Sequence, residues 1–318
     1  MPDFHQIQWD QRVEEDCRAL VKLAVREDLD RQQDWTTVAL VAADRTGSAD
    51  IVAREPGVVA GIATVAIVLE VIEARVKVRQ SVNDGDMIAA GAVLATLTGN
   101  VRDLLTCERT VLNLLARLMG VATLTRQYVE EVQGSAANIY DTRKTTPGWR
   151  RLEKYAAQCG GARNHRTGLF DAILIKDNHL AQGHLAQGYL GQEPSNAADA
   201  VVRTRQFLQQ HSVLQKQSSE NPPADLLLEI EVDTLEQLEA VLPTRPDIVL
   251  LDNMPPATLR EAVAMRSRLA PQVQLEASGG VRLEILREIA ATGVERISVG
   301  ALTHSARSLD IGLDWHAG

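Results

Sequence analysis

The chain reads as an α/β protein built on a parallel sheet covered by helices. From Ala137 onward, short strands nearly continuous in apolar residues alternate with helical runs, the pattern of repeated β-then-α units. Six strands are legible: Ala137–Asp141, Ala172–Lys176, Leu226–Val232, Asp247–Leu251, Val273–Ala277 and Arg296–Val299. Helical runs Trp149–Gln158, Ala197–Gln210, Leu235–Val241, Pro256–Leu269 and Leu283–Ala291 separate most of them. That count suits a barrel short of the usual eight strands, with a doubly wound open sheet as the competing architecture.

Before this alternation lies a different text. Asp10 caps a predicted amphipathic helix that places Val13, Cys17, Leu20, Val21 and Ala24 on one face. Val58–Leu69 is almost wholly apolar, but it is shorter than the roughly 20 residues a membrane span needs, so it reads as a buried strand or core helix. Between Ser48 and Gly99, the runs VVAGI, VKVRQSV and VLATLTG lie between turns such as Asp84-Gly85-Asp86 and Ala90-Gly91, a small α+β region. Its stretch DGDMIAAGAVLATL (84–97) resembles the hammerhead turn of biotinyl and lipoyl carriers. No lysine occupies the hairpin tip, so the reading is a structural sheet. A long helix, Arg102–Val132, carries the stripe Leu104, Val111, Leu112, Leu115 and Leu118. The stretch Ala181–Ala224 holds a short duplication, LAQGHLAQGYLGQ, and a polar run, HSVLQKQSSENPPAD, which reads as a solvated loop inside the alternation.

Composition narrows the function classes. The net charge of −9 disfavours a general nucleic-acid binder, so any anionic ligand must meet a local basic cluster. Cys17, Cys107 and Cys159 fit neither a zinc nor a disulfide pattern and suit a reducing compartment. The N-terminus has no basic-then-apolar signal arrangement. Together these predict a cytoplasmic protein without membrane or nucleic-acid partners.

In a parallel barrel the chemistry gathers at the carboxyl ends of the strands. The strand ends lead into Asp141-Thr142-Arg143-Lys144, Lys176, Glu229 with Glu231, Asp252-Asn253, Ser278-Gly279-Gly280, and Gly300 with His304 beyond. Arg163-Asn164-His165-Arg166 lies between the first two strands. A lone Arg-Lys pair is usually a solvated face, a lone histidine is more often structural, and a strand-end acid such as Asp233 is often a helix cap. Convergence carries the argument. Arg143, Lys144, His165, Arg166 and Lys176 on one rim of an acidic protein imply a small polyanionic ligand. Glycine turns at Ser278-Gly279-Gly280 and Val299–Leu302 suit phosphate, so the ligand is expected to be phosphorylated. Glu231 and Asp252, on adjacent units, suit Mg²⁺. The chain has neither a P-loop nor the dinucleotide glycine fingerprint.

These residues lie in a stretch, DTRKTTPGWRRLEKYAAQCGGARNHRTGLFDAILIKDNHL (141–180), that closely resembles the signature of the quinolinate phosphoribosyltransferase family. Agreement extends through CERTVLNLL (107–115), EIEVDT (229–234), LLDN (250–253), EASGGV (276–281) and ISVGALTHS (297–305), with EDL and DWTT at 27–37 a looser match. The resemblance implies an open seven-stranded α/β barrel with an N-terminal α/β sandwich domain. The sandwich would span 1–112, completed by the tail 306–318, and the barrel 113–305. It also implies a homodimer or higher assembly with shared active sites. The reaction it implies joins quinolinate to phosphoribosyl pyrophosphate with Mg²⁺, releasing pyrophosphate and carbon dioxide.

Matched position by position, the resemblance gives quinolinate binding to Arg143, His165, Arg166 and Lys176, with Arg109 donated across a dimer interface. Lys144 faces phosphoribosyl pyrophosphate. Glu231 and Asp252 bind Mg²⁺ and the ribose hydroxyls, and Ser278, Gly279, Gly300 and His304 hold the 5′-phosphate. Lys144, Lys176, Glu231 and Asp252 are the expected catalytic set. Three departures stand out: Ala162 replaces the usual third glycine, the early turn reads LDRQQDW, and the connection from Lys176 to Glu231 is long. The competing readings are a homologous transferase acting on another base, such as the molybdenum-transport-associated relatives, a Schiff-base aldolase using Lys176, and a non-catalytic binder.

Overall fold

A computed structural model describes residues 3–183, 196–214 and 226–316. The chain forms two compact units, one made of Gln6–Val129, Lys144–Arg163 and Gly300–Gly318, the other of Met1–His5, Glu130–Arg143 and Asn164–Val299.

In the first unit, α1 (Gln11–Leu29) starts where the sequence places it, with the Asp10 carboxylate accepting the Val13 N–H at 3.0 Å. Val13, Cys17 and Val21 are its buried face. Then come α2 (Trp35–Leu40), β1 (Thr46–Ala53), β2 (Gly57–Val58), α3 (Thr64–Val71), β3 (Val76–Gln80), β4 (Met87–Ile88), β5 (Val93–Asn100) and α4 (Val101–Glu131). The apolar run Val58–Leu69 is therefore neither one strand nor one helix. It leaves β2, turns at Gly61 and enters α3, and both pieces are buried because both pack on the same core. VVAGI accordingly supplies only the end of a two-residue strand, while β1, which the β-branched runs did not mark, is central to its sheet. The stretch 84–97 is structural: Asp84 accepts the Ile62 N–H at 3.0 Å and the Tyr155 hydroxyl at 2.7 Å.

All five residues of the α4 stripe are buried. Gly120 on α4 is fixed by close approach, since a Cβ there would lie 2.0 Å from the Arg307 carbonyl oxygen.

The rest of the chain carries β6 (Asn138–Tyr140), α5 (Arg150–Cys159), β7 (Ile173–Ile175), α6 (Asp177–Gly183), α7 (Ala197–Leu214), β8 (Leu228–Val232), α8 (Leu235–Val241), β9 (Ile248–Asp252), α9 (Pro256–Leu269), β10 (Gln274–Ser278), α10 (Leu283–Ala290), β11 (Arg296–Ser298), α11 (Ala301–His304) and β12 (Ile311–Trp315). β12 pairs antiparallel with β1, giving the first unit a four-stranded sheet of order β12-β1-β5-β3.

In the second unit six parallel strands run in the order β6-β11-β10-β9-β8-β7. Each strand neighbours its successor, except that the first lies beside the last. A sheet that curls on itself has this order, opened here between β6 and β7; a doubly wound sheet would reverse direction at a switch point. Six strands lie among the described residues, where the resemblance implies seven. The two stretches 184–195 and 215–225 lie outside them, and with them most of the duplication and of the run read as a loop.

Strand registers separate two faces. Ile139, Ile230, Val249, Leu251, Leu275, Ala277 and Ile297 share the apolar one, and α7 and α8 lie against β8. The other face carries Glu229, Glu231, Asp252, Gln274, Glu276, Ser278 and Arg296. The strands are thus less uniformly apolar than the sequence reading took them to be, because the barrel interior is filled by a charged network. Thr234, rather than Asp233, caps α8, accepting the Gln237 N–H at 3.2 Å, while the Gln237 side chain accepts the Asp233 N–H at 2.7 Å. Among the described residues no helix is long and apolar enough to cross a membrane.

Replacing Gly120 by alanine should cost about 1–3 kcal/mol or more through overpacking against fixed backbone, seen as a lower denaturation midpoint. An unchanged midpoint would contradict the contact with Arg307.

Candidate active site

Strand ends of the second unit place most of the expected residues on one rim. Lys176 follows β7, Glu231 is the penultimate residue of β8, Asp252 closes β9 and Ser278 closes β10. Ser278 and Asp252 are cross-strand partners, as are Glu231 and Leu250. Glycine is required at 279. Its φ is +86°, and a Cβ there would meet the Asn253 side-chain oxygen at 2.3 Å, so the β9 and β10 loops close on each other. The Asn253 N–H donates to the Ser278 carbonyl at 2.8 Å and its side-chain amide to Asp252 Oδ2 at 2.6 Å. Lys176 Nζ is ion-paired with Glu231 Oε2, joining the residue expected on quinolinate to one expected on metal and ribose.

Asp141, buried at the end of β6, anchors the segment that carries His165 and Arg166. Its carboxylate accepts the Asn164 side-chain amide at 2.6 Å and the His165 N–H at 2.9 Å. Asp171 fixes the next turn by accepting the Thr167 and Gly168 N–H groups at 2.7 and 3.0 Å. Arg166 is buried. Burial, and then the neighbouring charge of Arg143, lower its pKa, only partly offset by Glu229 and Asp171. Arg143 Nε is buried with no hydrogen-bond acceptor. Two guanidiniums held close with too little opposing charge form a receptor for an anion with more than one negative group.

His165 is placed differently from its neighbours. Its Nδ1 accepts the Arg166 N–H at 2.8 Å, and its Nε2 lies 3.0 Å from Glu229 and 3.4 Å from Glu276. Both ring nitrogens thus face groups of the chain itself. Burial lowers the His165 pKa and Glu229, then Glu276, raise it, but the Arg166 N–H occupies the Nδ1 lone pair, so the ring is the tautomer with its proton on Nε2, facing the two carboxylates. Burial raises Glu229; burial also opposes ionisation of Glu276, but His165 and Arg296 beside it hold its pKa down. Arg296, 1% exposed, completes the network, donating to Glu276 at 3.1 Å, Gln274 at 2.9 Å and Asp3 at 2.9 Å.

The other expected residues belong to the first unit. A Cβ at Gly300 would lie 3.0 Å from Lys144 Cδ and 3.1 Å from His304 Nε2, so Lys144, Gly300 and His304 converge. The Thr303 hydroxyl donates to the Lys144 carbonyl at 2.7 Å. Behind them the buried Glu153 accepts Arg117 Nη2 at 2.6 Å and the Thr146 N–H at 3.0 Å, while Arg117 donates to the Ala306 carbonyl at 2.6 Å. Arg109 stands apart, exposed on α4 between the buried Cys107 and Thr110. Sequence reasoning gave Arg117, Glu153, Asp141 and Asn253 no role, although Asp141, Glu153 and Asn253 lie within the matched motifs and Asp141 and Asn253 at strand ends.

Comparison with known proteins bears on this constellation. Profiles described as quinolinate phosphoribosyl transferase, N-terminal domain and C-terminal domain, match residues 34–119 and 121–314. A Mycobacterium leprae protein named carboxylating nicotinate-nucleotide pyrophosphorylase is 42% identical over 300 residues, covering 94% of this chain and 96% of that one. A Bacillus subtilis protein named as a probable enzyme of the same kind is 39% identical over 272 residues, covering 85% and 84%. The solved nicotinate-nucleotide pyrophosphorylase of Francisella tularensis superposes with a TM-score of 0.84 at 31% identity, over 99% of this chain and 100% of that chain.

Proposed function

The chain belongs to the quinolinate phosphoribosyltransferase family, and we propose that it transfers phosphoribosyl from phosphoribosyl pyrophosphate to quinolinate with decarboxylation, giving nicotinate mononucleotide, pyrophosphate and carbon dioxide. The observation that carries this reading is the pair Arg143 and Arg166. Quinolinate is a planar dianion with adjacent carboxylates, the ligand that two close and undercompensated guanidiniums select. The family resemblance assigns Lys144 to phosphoribosyl pyrophosphate, and Ser278, Gly279, Gly300 and His304 each to its 5′-phosphate.

Glu231 and Asp252 end neighbouring strands and offer Oε1 and Oδ1 as hard oxygen donors beyond the bonds made by their other oxygens. One or two carboxylates completed by substrate oxygens is the donor set Mg²⁺ takes, so the residues fit that ion. The three-residue cluster His165, Glu229 and Glu276 does not fit it, being buried, partly nitrogenous and already neutralised by Arg296. Bound at Glu231 and Asp252, Mg²⁺ would neutralise charge on the departing pyrophosphate. The chain itself does the rest. Its arginines aim the ring nitrogen of quinolinate at the anomeric carbon, and Glu231 and Asp252 stabilise positive charge developing on the ribose as pyrophosphate leaves. Once the nitrogen carries the ribose, its positive charge stabilises the C2 carbanion left as the adjacent carboxylate departs as carbon dioxide; a proton from solvent then takes up that electron pair at C2, and no covalent enzyme intermediate is needed.

The aldolase reading fares worse, because Schiff-base chemistry needs a neutral amine and Lys176 is held against a carboxylate. An assembly of two or more copies, with Arg109 completing a neighbour's site, is part of the proposal; Arg109's exposed position on α4 agrees with it. A cytoplasmic location is proposed from the three unpaired cysteines.

The direct test incubates the protein with quinolinate, phosphoribosyl pyrophosphate and Mg²⁺, following nicotinate mononucleotide by chromatography together with released carbon dioxide. Product from quinolinate and none from nicotinate is expected; the reverse would overturn the assignment. Arg143→Ala should weaken quinolinate binding in calorimetry by about 2 kcal/mol or more while leaving phosphoribosyl pyrophosphate binding largely intact. Equal loss of both would contradict the division of the site. Mixing Arg109→Ala with Lys176→Ala should restore part of the activity through hybrid assemblies. Silence from hybrids verified by mass spectrometry would rule out a donated arginine.

A further inference from the structure

The residues up to His5 belong to the barrel unit, although the chain directly after them belongs to the other. Two of them reach the barrel interior. The Asp3 carboxylate accepts Arg296 Nη2 at 2.9 Å and the Tyr140 hydroxyl at 3.0 Å, and it also accepts the N–H of Phe4 at 2.9 Å. Asp3 thereby ties the segment to both β6 and β11. Phe4, 5% exposed, packs with Tyr140, Ala172, Leu227 and Ile248. Its ring stacks on the His165 imidazole with centroids 4.2 Å apart and planes inclined by 29°. The Arg296 guanidinium lies 4.9 Å from the same ring.

The consequence runs outward to the rim. A flat face against the imidazole leaves His165 one ring plane. In that plane Nδ1 meets the Arg166 N–H at 2.8 Å and Nε2 faces Glu229 at 3.0 Å. Rotating the ring would break the first contact and leave the backbone of Arg166 without its acceptor. A leucine would fill the same apolar space, but it has no flat face to set the ring plane.

We propose that Phe4 is a positioning residue for the quinolinate site, acting through the His165 ring on Arg166. This rests on the assignment of Arg166 to quinolinate, and the test separates the two claims. Phe4→Ala, Phe4→Leu and Phe4→Tyr are compared with wild type by steady-state kinetics and by long-range proton–nitrogen NMR of the His165 ring. The His165 signals are assigned by their loss in His165→Gln.

Phe4→Ala and Phe4→Leu are expected to raise the quinolinate KM up to about tenfold, with the phosphoribosyl pyrophosphate KM within about twofold and the His165 nitrogens shifted. Phe4→Tyr, which keeps the aromatic face, should remain near wild type in both. Restoration of the quinolinate KM by leucine would overturn the proposal, since filling space would then suffice. So would an equal rise in both KM values. If wild type makes no product from quinolinate, the functional reading fails, and the NMR arm still decides for Phe4: unshifted His165 nitrogens in Phe4→Leu would refute its control of the ring.

Discussion

Arg296 is the charge around which the barrel interior is organised. A guanidinium at 1% exposure has given up its hydration, at a cost of several kcal/mol, and only close partners make that tolerable. It takes them from elements distant in sequence: Glu276 and Gln274 on β10, Asp3 near the N-terminus, and the face of Tyr140 on β6, 3.9 Å away. Each partner is thereby fixed as well. Glu276 held by Arg296 faces His165 Nε2, and Glu229 faces the same nitrogen, so the histidine sits where two strands can hold it. The geometry of the rim follows from a neutralised charge in its floor.

The rim itself is built on the opposite principle. Arg143 and Arg166 are left short of acid partners, whereas Lys176 and Glu231 satisfy each other. Charge left uncompensated inside a protein of net charge −9 is costly, and an anion is what repays it. In the first unit, the buried Glu153 paired with the half-buried Arg117 holds together the segments that carry Lys144 and Gly300. A neutralised ion pair stands behind the expected substrate-binding residues in each unit.

Much of this was legible in the sequence because periodicity reports burial. The Asp10 cap, the α4 stripe and the β-then-α alternation are local patterns, and all six strands and the helices between them stand where they were read, within a few residues. The charged rim was legible because strand ends are easy to locate once strands are. What escaped was non-local. Nothing in the text around Asp3 and Phe4 tells that they enter a barrel whose first strand begins at Asn138. The apolar run 58–69 gave its burial correctly but not its break, since period and burial do not specify a turn at Gly61. His165 was recognised by motif as a ligand-binding residue, while its structural setting, with both ring nitrogens engaged by the chain, only coordinates reveal.

Where quinolinate sits decides the functional assignment. A crystal structure of the protein with quinolinate bound would test it most directly. The two carboxylates are expected on the guanidiniums of Arg143 and Arg166, with the ring nitrogen turned toward Glu231 and Asp252. Quinolinate bound elsewhere, or with its carboxylates away from both arginines, would contradict it.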